Sequence, residues 1–308
     1  MLLYNICIAL YVGLLKLVAP WNKKAKQWVV GRKNIFERMS DAIASTDKVV
    51  WIHVASLGEF EQGRPIIEEI RQQHPEYKIL LTFFSPSGYE IRKNYAGADF
   101  IFYLPADTPL NVKRFLDIAH PEIAVFVKYE FWLNYLTQLK KRGVKSYLVS
   151  AIFRQDSVFF RNYGSMWREA LDAFDQMFVQ NEESRSLLHS IGYDNVIVAG
   201  DTRFDRVAAI AKAAKPVDIV AKFKGDSRLF VAGSTWGPDE EILLPLINDN
   251  SEVKFVIAPH EMDEARINNI LSSVKCGAKR YTQCTVDTDF SATQVLVLDT
   301  IGILSSVY

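Results

Sequence analysis

The sequence contains few cysteines and carries no net charge. Its three cysteines, Cys7, Cys276 and Cys284, fit neither the paired spacing of a zinc site nor an even-numbered disulfide framework. Reduced thiols in a cytosolic compartment are the simplest interpretation. Because 36 basic residues balance 36 acidic ones, no global field recruits nucleic acid, and any basic binding surface must be local. The sequence also lacks internal repeats and low-complexity segments.

A long apolar run opens the chain. Residues 1–21 read MLLYNICIALYVGLLKLVAPW, with Asn5 and Lys16 as the main interruptions. Their number is close to the ~20 residues that a helix needs to cross a bilayer core. A cleaved signal peptide is disfavoured, because no basic residue precedes the run and no small-residue cleavage site follows it. We therefore predict a membrane-anchor helix over residues 1–22, either spanning or interfacial, rather than a buried core helix.

A basic segment follows this run. Five lysines and arginines lie between Lys23 and Lys33, and the first acidic residue is Glu37. By the positive-inside rule, such a flank stays on the cytoplasmic side, and so does the chain that follows it. We therefore expect the protein to work on the cytoplasmic face of a membrane.

From Val49 onward, short apolar runs alternate with amphipathic, helix-like stretches. Strands that are almost continuously apolar and alternate with helices indicate a parallel sheet covered on both faces. The runs are VVWIHVAS (49–56), KILLTFF (78–84), FIFYLP (100–105), IAVFVK (123–128), SYLVSAI (146–152), MFVQ (177–180), NVIVAG (195–200), RLFVAGST (228–235), KFVIAP (254–259), KRYTQ (279–283) and QVLVLDT (294–300).

This pattern predicts an α/β fold of two Rossmann-like domains. We place the first domain over residues 34–210 and the second over residues 217–308, with a hinge near residues 205–225. The second series has about four strands and fewer than a hundred residues, whereas a doubly wound domain usually runs to ~150 residues. We therefore expect the second domain to be incomplete at Tyr308.

Ligands of open α/β sheets bind at the carboxyl ends of the strands, so the residues directly after the apolar runs are the candidates for chemistry. The first run ends in Ser56-Leu-Gly58-Glu59 and leads into a helix pattern. Gly58 permits a tight turn, and Glu59 is placed to accept a proton from a substrate hydroxyl. Alternatively, Glu59 only complements the positive end of the helix dipole. Glu61 is a nearby competitor, although it falls inside the helix and can simply be solvated.

Two further strand ends of the first domain carry polar groups. The second run leads into SPSG (85–88), which is either an anion-binding turn with free backbone amides or an ordinary turn. The fourth run leads into KYEFWLN (128–134). This segment is either a sugar contact of charged and aromatic side chains or a helix start with a buried tryptophan.

Basic and hydroxyl groups stand at the later strand ends. Arg203 offers a bidentate grip on a phosphate or carboxylate, or it pairs with Asp201 or Asp205. GST (233–235) follows a strand and precedes a helix that starts with proline, a position that suits a phosphate. PHE (259–261) holds a histidine and a glutamate, but no third ligand is spaced to complete a metal site. A nucleotide contact or a helix cap is the better interpretation there.

Ten short motifs occur together in one order. They are HVASLGE (53–59), FFSPSG (83–88), LPADTP (104–109), FVKYEFWLN (126–134), VSAIFR (149–154), VQNEES (179–184), AGDTRFD (199–205), AGSTW (232–236), APHE (258–261) and DTIGIL (299–304). Through this ordered set, the chain resembles the 3-deoxy-D-manno-octulosonic acid (Kdo) transferases. These glycosyltransferases add Kdo to the lipid A precursor in lipopolysaccharide biosynthesis.

The resemblance implies a two-domain fold of the GT-B type, with the acceptor on the first domain and the donor, CMP-Kdo, on the second. It implies inversion at the anomeric carbon without a metal ion or another cofactor, at the cytoplasmic face of a bacterial inner membrane. Glu59 matches the family's general base, and Glu130 and Arg203 match positions that stabilise the transition state. The family often has Lys in place of Arg203, which keeps the charge but changes its geometry.

The resemblance also suggests which segments hold the two substrates. The implied donor-binding residues are Gly233, Ser234, Thr235, Pro259, His260, Ile301, Gly302 and Ile303. We expect the acceptor site to be lined by Ser56, Gly58, Ser85, Ser87 and Gly88. The alternative function is that of another membrane-associated GT-B glycosyltransferase, which uses a UDP- or GDP-sugar on a lipid acceptor.

Overall fold

The computed structural model of the chain describes residues 1–213 and 216–308. The chain forms two compact units, Met1–Arg206 and Val207–Tyr308. The hinge predicted near residues 205–225 includes residues 214 and 215, which lie outside the described residues.

The first unit is built on a seven-stranded parallel sheet. Its strand order is β3-β2-β1-β4-β5-β6-β7, so that the first strand of the chain lies near the centre. The strands are β1 Val49–Val54, β2 Lys78–Phe83, β3 Phe100–Tyr103, β4 Ile123–Val127, β5 Lys145–Ala151, β6 Gln176–Val179 and β7 Val196–Val198. The predicted α/β fold with a parallel sheet is therefore confirmed for this part of the chain.

Helices cover both faces of this sheet. Every residue of β1 is buried, with Trp51 in one apolar cluster and Ile52 in the other. Because successive side chains of a strand point to opposite faces, continuous burial requires cover on both sides. The helices of this unit are α1 Leu2–Val18, α2 Lys23–Gly31, α3 Ile35–Ala42, α4 Leu57–Gln73, α5 Pro86–Arg92, α6 Pro109–Ala119, α7 Leu133–Arg142, α8 Ser165–Leu171 and α9 Glu182–His189, and α10 Thr202–Ala213 runs on into the second unit.

Local sequence signals set several helix ends. The Thr108 side chain accepts a hydrogen bond from the Asn111 backbone N–H, and Pro109 stands at the first position of α6. Helix α7 ends at Gly143, whose φ of 66° is the left-handed conformation that favours glycine. Helix α4 begins directly after β1, with Ser56 as its N-cap residue, and it therefore includes Glu59 in its first turn.

The second unit has a four-stranded parallel sheet with the order β10-β11-β9-β8. Its strands are β8 Arg228–Thr235, β9 Val253–Pro259, β10 Ala278–Arg280 and β11 Val295–Val297, and its helices are α11 Asp218–Lys224, α12 Gly237–Asp249, α13 Glu264–Ser273 and α14 Leu304–Val307. The strand predicted at 279–283 is wrong in its second half, because residues 281–283 form a 3-10 helix.

Helix α1 packs along the first unit through its polar residues. The Tyr4 hydroxyl donates to Asp107 Oδ2 at 2.6 Å, and Asn134 Nδ2 donates to Asn5 Oδ1 at 2.8 Å. The opposite side of the helix and the residues after it expose Leu2, Leu3, Ile6, Leu10, Leu14, Leu17 and Trp21. In the described ranges no single helix is long and apolar enough to cross a membrane; α1 and α2 pass that test only as a pair, which is bent by 117°.

Candidate active site

The acceptor segments predicted from sequence come together at one edge of the first sheet. Strands β2 and β4 flank β1 on its two sides, so the residues that follow these three strands share the carboxyl edge. Contact between two of the segments is tight at Gly88. A Cβ atom there would lie 2.9 Å from the Ser56 carbonyl carbon, so any larger residue would push the turn after β2 away from β1.

Glu59 lies at this edge in the first turn of α4, where its side chain is 18% exposed. The Ser56 hydroxyl donates a hydrogen bond to Glu59 Oε2. The ammonium group of Lys128, which follows β4, lies 4.0 Å from Glu59 Oε1. A carboxylate that is fixed through one oxygen and partly open to solvent can accept a proton from a bound hydroxyl group. The same position also favours Glu59 as a partner of the helix dipole.

Glu61, the competing carboxylate, has a different environment. Its Oε1 atom accepts a hydrogen bond from Arg92 Nη2 at 2.9 Å. The ion pair joins α4 to α5, so Glu61 has a structural partner in place of the simple solvation that the sequence suggested.

Glu130 is buried and belongs to a hydrogen-bond network that reaches across the sheet. Its Oε2 atom lies 3.0 Å from His53 Nε2 and accepts a hydrogen bond from Trp132 Nε1 at 2.7 Å. On the other side of the imidazole, His53 Nδ1 lies 2.9 Å from the Thr82 hydroxyl oxygen. That oxygen accepts a hydrogen bond from Trp51 Nε1 at 2.8 Å. The helix-start alternative for the segment after β4 is met in part, because the half-buried Trp132 is the N-cap residue of α7, and the sugar contact stays a prediction.

The network defines one tautomer of His53 when Glu130 is ionised. A carboxylate only accepts hydrogen bonds, so Nε2 must carry the proton that it donates to Glu130. In this neutral form Nδ1 accepts from the Thr82 hydroxyl, and it also lies 3.2 Å from the Thr82 carbonyl oxygen, to which it donates when both ring nitrogens are protonated. The sequence interpretation gave no role to His53 or Thr82. The available signal was an imidazole in a strand whose other residues are all apolar.

Arg203 pairs with Asp201, which was one of the two alternatives that the sequence left open. Arg203 Nε lies 2.9 Å from Asp201 Oδ2, and the arginine side chain is 58% exposed. Burial favours the neutral form of Asp201, but hydrogen bonds from Arg203 and from Gln62 outweigh it and lower the pKa of Asp201 to about 2. Gln62 lies in α4 one turn after Glu59, so Arg203 is linked through Asp201 to the helix that carries the candidate base.

The donor segments predicted from sequence gather at the carboxyl edge of the second sheet. They lie in the last residues of β8, at the end of β9 and after β11, and these three strands are neighbours in the strand order. Ser234 has a left-handed φ of 56°, and the pairing of β8 with β9 shifts register between Gly233 and Thr235. The rings of Trp236 and His260 lie 4.4 Å apart between centroids. Of the last segment, Ile301 is exposed and Ile303 packs against the apolar core.

Thr235 is held at this edge by hydrogen bonds within the protein. Its buried hydroxyl donates to Glu240 Oε1 at 2.8 Å, and Glu240 pairs with Arg266 at 2.8 Å. The first turn of α12 also contains Asp239, whose carboxylate accepts the Trp236 backbone N–H at 2.7 Å. These carboxylates already accept hydrogen bonds at the helix start, and the phosphate site predicted at residues 233–235 stays a prediction. Over the described part of the chain, no cluster of three histidine, cysteine or acidic side chains is arranged to hold a metal ion.

Solved structures show the class of protein. The structure of UDP-GlcNAc 2-epimerase from Neisseria meningitidis bound to UDP-GlcNAc matches with a TM-score of 0.57 and 15% sequence identity, over 85% of this chain and 74% of that chain. At this identity the match defines the fold alone. The chain is an α/β protein with parallel sheets and has a fold similar to that of this sugar-nucleotide enzyme.

Sequence comparison shows the family. The family model described as 3-deoxy-D-manno-octulosonic-acid transferase (kdotransferase) matches residues 33–206, which is more than half of the chain, and the chain belongs to this family. The 3-deoxy-D-manno-octulosonic acid transferase of Aquifex aeolicus is 28% identical over 233 residues, or 74% of this chain. The protein of that name from Haemophilus influenzae is 24% identical over 243 residues, or 77% of this chain. The chain spans 59% and 55% of the lengths of these two relatives.

Proposed function

We propose that the protein transfers Kdo from CMP-Kdo to a lipid A precursor in lipopolysaccharide biosynthesis, with inversion and without a metal ion. The observation that carries the proposal is the Glu59 carboxylate after the central strand β1, held by Ser56 and facing Lys128. The chain belongs to the Kdo transferase family, and the resemblance through the HVASLGE motif implies that Glu59 is the general base.

In the proposed reaction, Glu59 removes the proton from an acceptor hydroxyl group. The oxygen of that hydroxyl forms a bond to the anomeric carbon of Kdo, on the face opposite the leaving group. The bond between the anomeric carbon and the phosphate oxygen breaks, and its electron pair leaves with CMP. Protonated Glu59 then returns its proton to solvent, and the donor's own phosphate bond supplies the driving force.

Two further side chains are assigned to the charges that develop in this reaction. Positive charge grows at the anomeric carbon as the leaving group departs, and the buried carboxylate of Glu130 is suited to stabilise it. Negative charge grows on the phosphate, and the exposed guanidinium of Arg203 is suited to that role. The segments at the carboxyl ends of β8, β9 and β11 are proposed to hold the nucleotide, in line with the general position of ligands at strand ends.

A lipid acceptor requires that the enzyme works at a membrane, and we propose the cytoplasmic face of a bacterial inner membrane. The exposed leucines and Ile6 of α1 form an apolar strip on a helix that is otherwise docked on the first unit. Lys23, Lys24 and Lys26 at the start of α2 add positive charge next to the strip. Apolar side chains beside basic ones are the features of a helix that lies in an anionic lipid interface.

The alternative function differs from the proposed one in its sugar donor. Membranes that contain the full-length protein should transfer sugar to the lipid A precursor from CMP-Kdo, and not from UDP- or GDP-sugars. Transfer from a UDP- or GDP-sugar only would contradict the proposal and support another lipid glycosyltransferase.

A further inference from the structure

Lys128 adopts an unusual backbone conformation next to the candidate base. It follows β4 with a φ of 71°, in the left-handed region that residues with a Cβ atom rarely adopt. Its backbone N–H still donates to the Val149 carbonyl oxygen at 2.9 Å, so pairing with β5 fixes this conformation. Residues with such strained backbones concentrate at sites of function, where the fold holds a side chain in a required place.

The side chain of Lys128 faces Glu59 without making a direct hydrogen bond to it. The distance of 4.0 Å between Nζ and Glu59 Oε1 exceeds hydrogen-bond length, and the side chain is 23% exposed. The ammonium group also lies 5.5 Å from the centre of the Tyr129 ring. Its hydrogen-bond donors are therefore available to a ligand that enters the site. Arg203, in contrast, already directs its Nε and Nη2 atoms to Asp201.

We propose that Lys128 binds the carboxylate group of the donor sugar, so that the site selects a 2-keto sugar acid. This inference rests on the proposed function. In such a sugar the carboxylate is attached to the anomeric carbon itself. The acceptor oxygen must hydrogen-bond to Glu59 and must also come within ~3–3.5 Å of the anomeric carbon before it attacks. The carboxylate oxygens, two bonds from that carbon, are then within reach of the Lys128 ammonium, which lies 4.0 Å from Glu59 Oε1.

Charge supports the same assignment. A donor carboxylate that approaches the Glu59 carboxylate meets like-charge repulsion in a partly buried site. The Lys128 ammonium lies close enough to offset that repulsion and to form a charge-assisted hydrogen bond with the donor. A neutral hexose would leave this ammonium without its partner. Lys128 is thus a specificity residue, because it discriminates between sugar acids and neutral sugars.

The test is steady-state transfer by the full-length protein with CMP-Kdo, comparing wild type, Lys128→Met and Lys128→Arg. Lys128→Met removes the charge at similar length, and we expect it to raise the KM for CMP-Kdo by about 10- to 100-fold. Lys128→Arg should recover most of this loss. Inhibition by CMP, which has no sugar carboxylate, should be unchanged in both variants, and this result also verifies that the nucleotide site is folded. Lys113→Met, at a surface lysine paired with Asp117, is the matched control.

The possible results separate the two proposals. An unchanged KM for CMP-Kdo in Lys128→Met would overturn the inference. This holds even if kcat falls, because a fall in kcat alone would make Lys128 only a positioning partner of Glu59. Weaker inhibition by CMP in the same variant would also overturn it, because the defect would then lie in the nucleotide site. Absence of transfer from CMP-Kdo by the wild-type protein would instead refute the proposed function, and this inference with it.

Discussion

The Nε2 atom of His53 lies 3.0 Å from Oε2 of Glu130, although the two residues are 77 positions apart in the sequence. His53 is fully buried, and its other ring nitrogen contacts the Thr82 hydroxyl. The imidazole therefore connects the adjacent strands β1 and β2 to a carboxylate that follows β4. The imidazole fixes the orientation of Glu130 through a hydrogen bond. It does not itself contact a substrate, so we assign His53 as a positioning residue.

Replacement of His53 tests this arrangement. His53→Phe keeps a ring but removes both nitrogens, so Glu130 and Thr82 each lose a partner. We expect the free energy of unfolding to fall by about 1–3 kcal/mol and kcat for transfer to decrease. His53→Gln, which keeps a side-chain donor, should lose less of both. Denaturant unfolding and initial rates measure the two effects, with the exposed His189→Phe as control. Wild-type kcat in His53→Phe would show that Glu130 needs no such support.

Asp107 gives the first unit a specific dependence of stability on pH. Burial raises the pKa of Asp107 to about 6, although hydrogen bonds from Tyr4 and from the backbone of Asn134 and Tyr135 lower it in part. The folded protein therefore holds this proton more tightly than the unfolded chain does. This proton therefore contributes to the free energy of unfolding. The contribution is fully present below pH ~4 and is lost as pH rises through about 6, a decrease of about 3 kcal/mol.

The contribution of Asp107 is isolated by comparison with Asp107→Asn, which does not titrate. We expect the difference in unfolding free energy, wild type minus variant, to fall between pH 4 and pH 7. Urea unfolding at intervals across this range measures it. A difference that is constant with pH, or that rises, would show that Asp107 is not protonated near pH 6 in the folded protein.

The apolar strip of α1 is expected to bind lipid. Leu10 is 68% exposed on this strip, and Leu10→Glu places a charge where the proposed interface lies. We expect binding to vesicles of anionic phospholipid to weaken by about tenfold, the equivalent of one leucine side chain that is no longer buried. Ile242→Glu, at a residue of α12 that is 74% exposed, is the control and should bind as wild type does. Equal loss in both variants would point to general charge repulsion.

The order of strands and helices could be predicted from sequence because it depends on local patterns. The apolar runs that alternate with helices correspond to the eleven strands of residues 1–213 and 216–308. The residues after β1, β2 and β4 meet at one edge, as the general rule for parallel sheets requires. The partners of side chains at that edge could not be predicted in the same way. His53 with Glu130, and Tyr4 with Asp107, are separated by 77 and 103 residues, and only the packed fold brings them together.

Two threonines show what the sequence pattern does not report. Residues 279–283 (KRYTQ) give only a weak strand pattern, and the strand ends at Arg280, after which the Thr282 N–H and hydroxyl donate hydrogen bonds to Asp299. At Thr235, whose part in donor binding stays a prediction, the hydroxyl donates to Glu240. In both cases, the packed fold determines which carboxylate accepts the hydrogen bond. Hydrophobic periodicity does not report such side-chain partners.

The role of Glu59 is tested most directly by a comparison of two glutamates on the same helix. Glu59→Gln removes the candidate base, whereas Glu61→Gln changes a carboxylate that pairs with Arg92. With CMP-Kdo and the lipid A precursor, we expect Glu59→Gln to lower kcat by at least ~10²-fold and Glu61→Gln to retain transfer near the wild-type rate. Turnover by Glu59→Gln at the wild-type rate would contradict the assignment of Glu59 as the base.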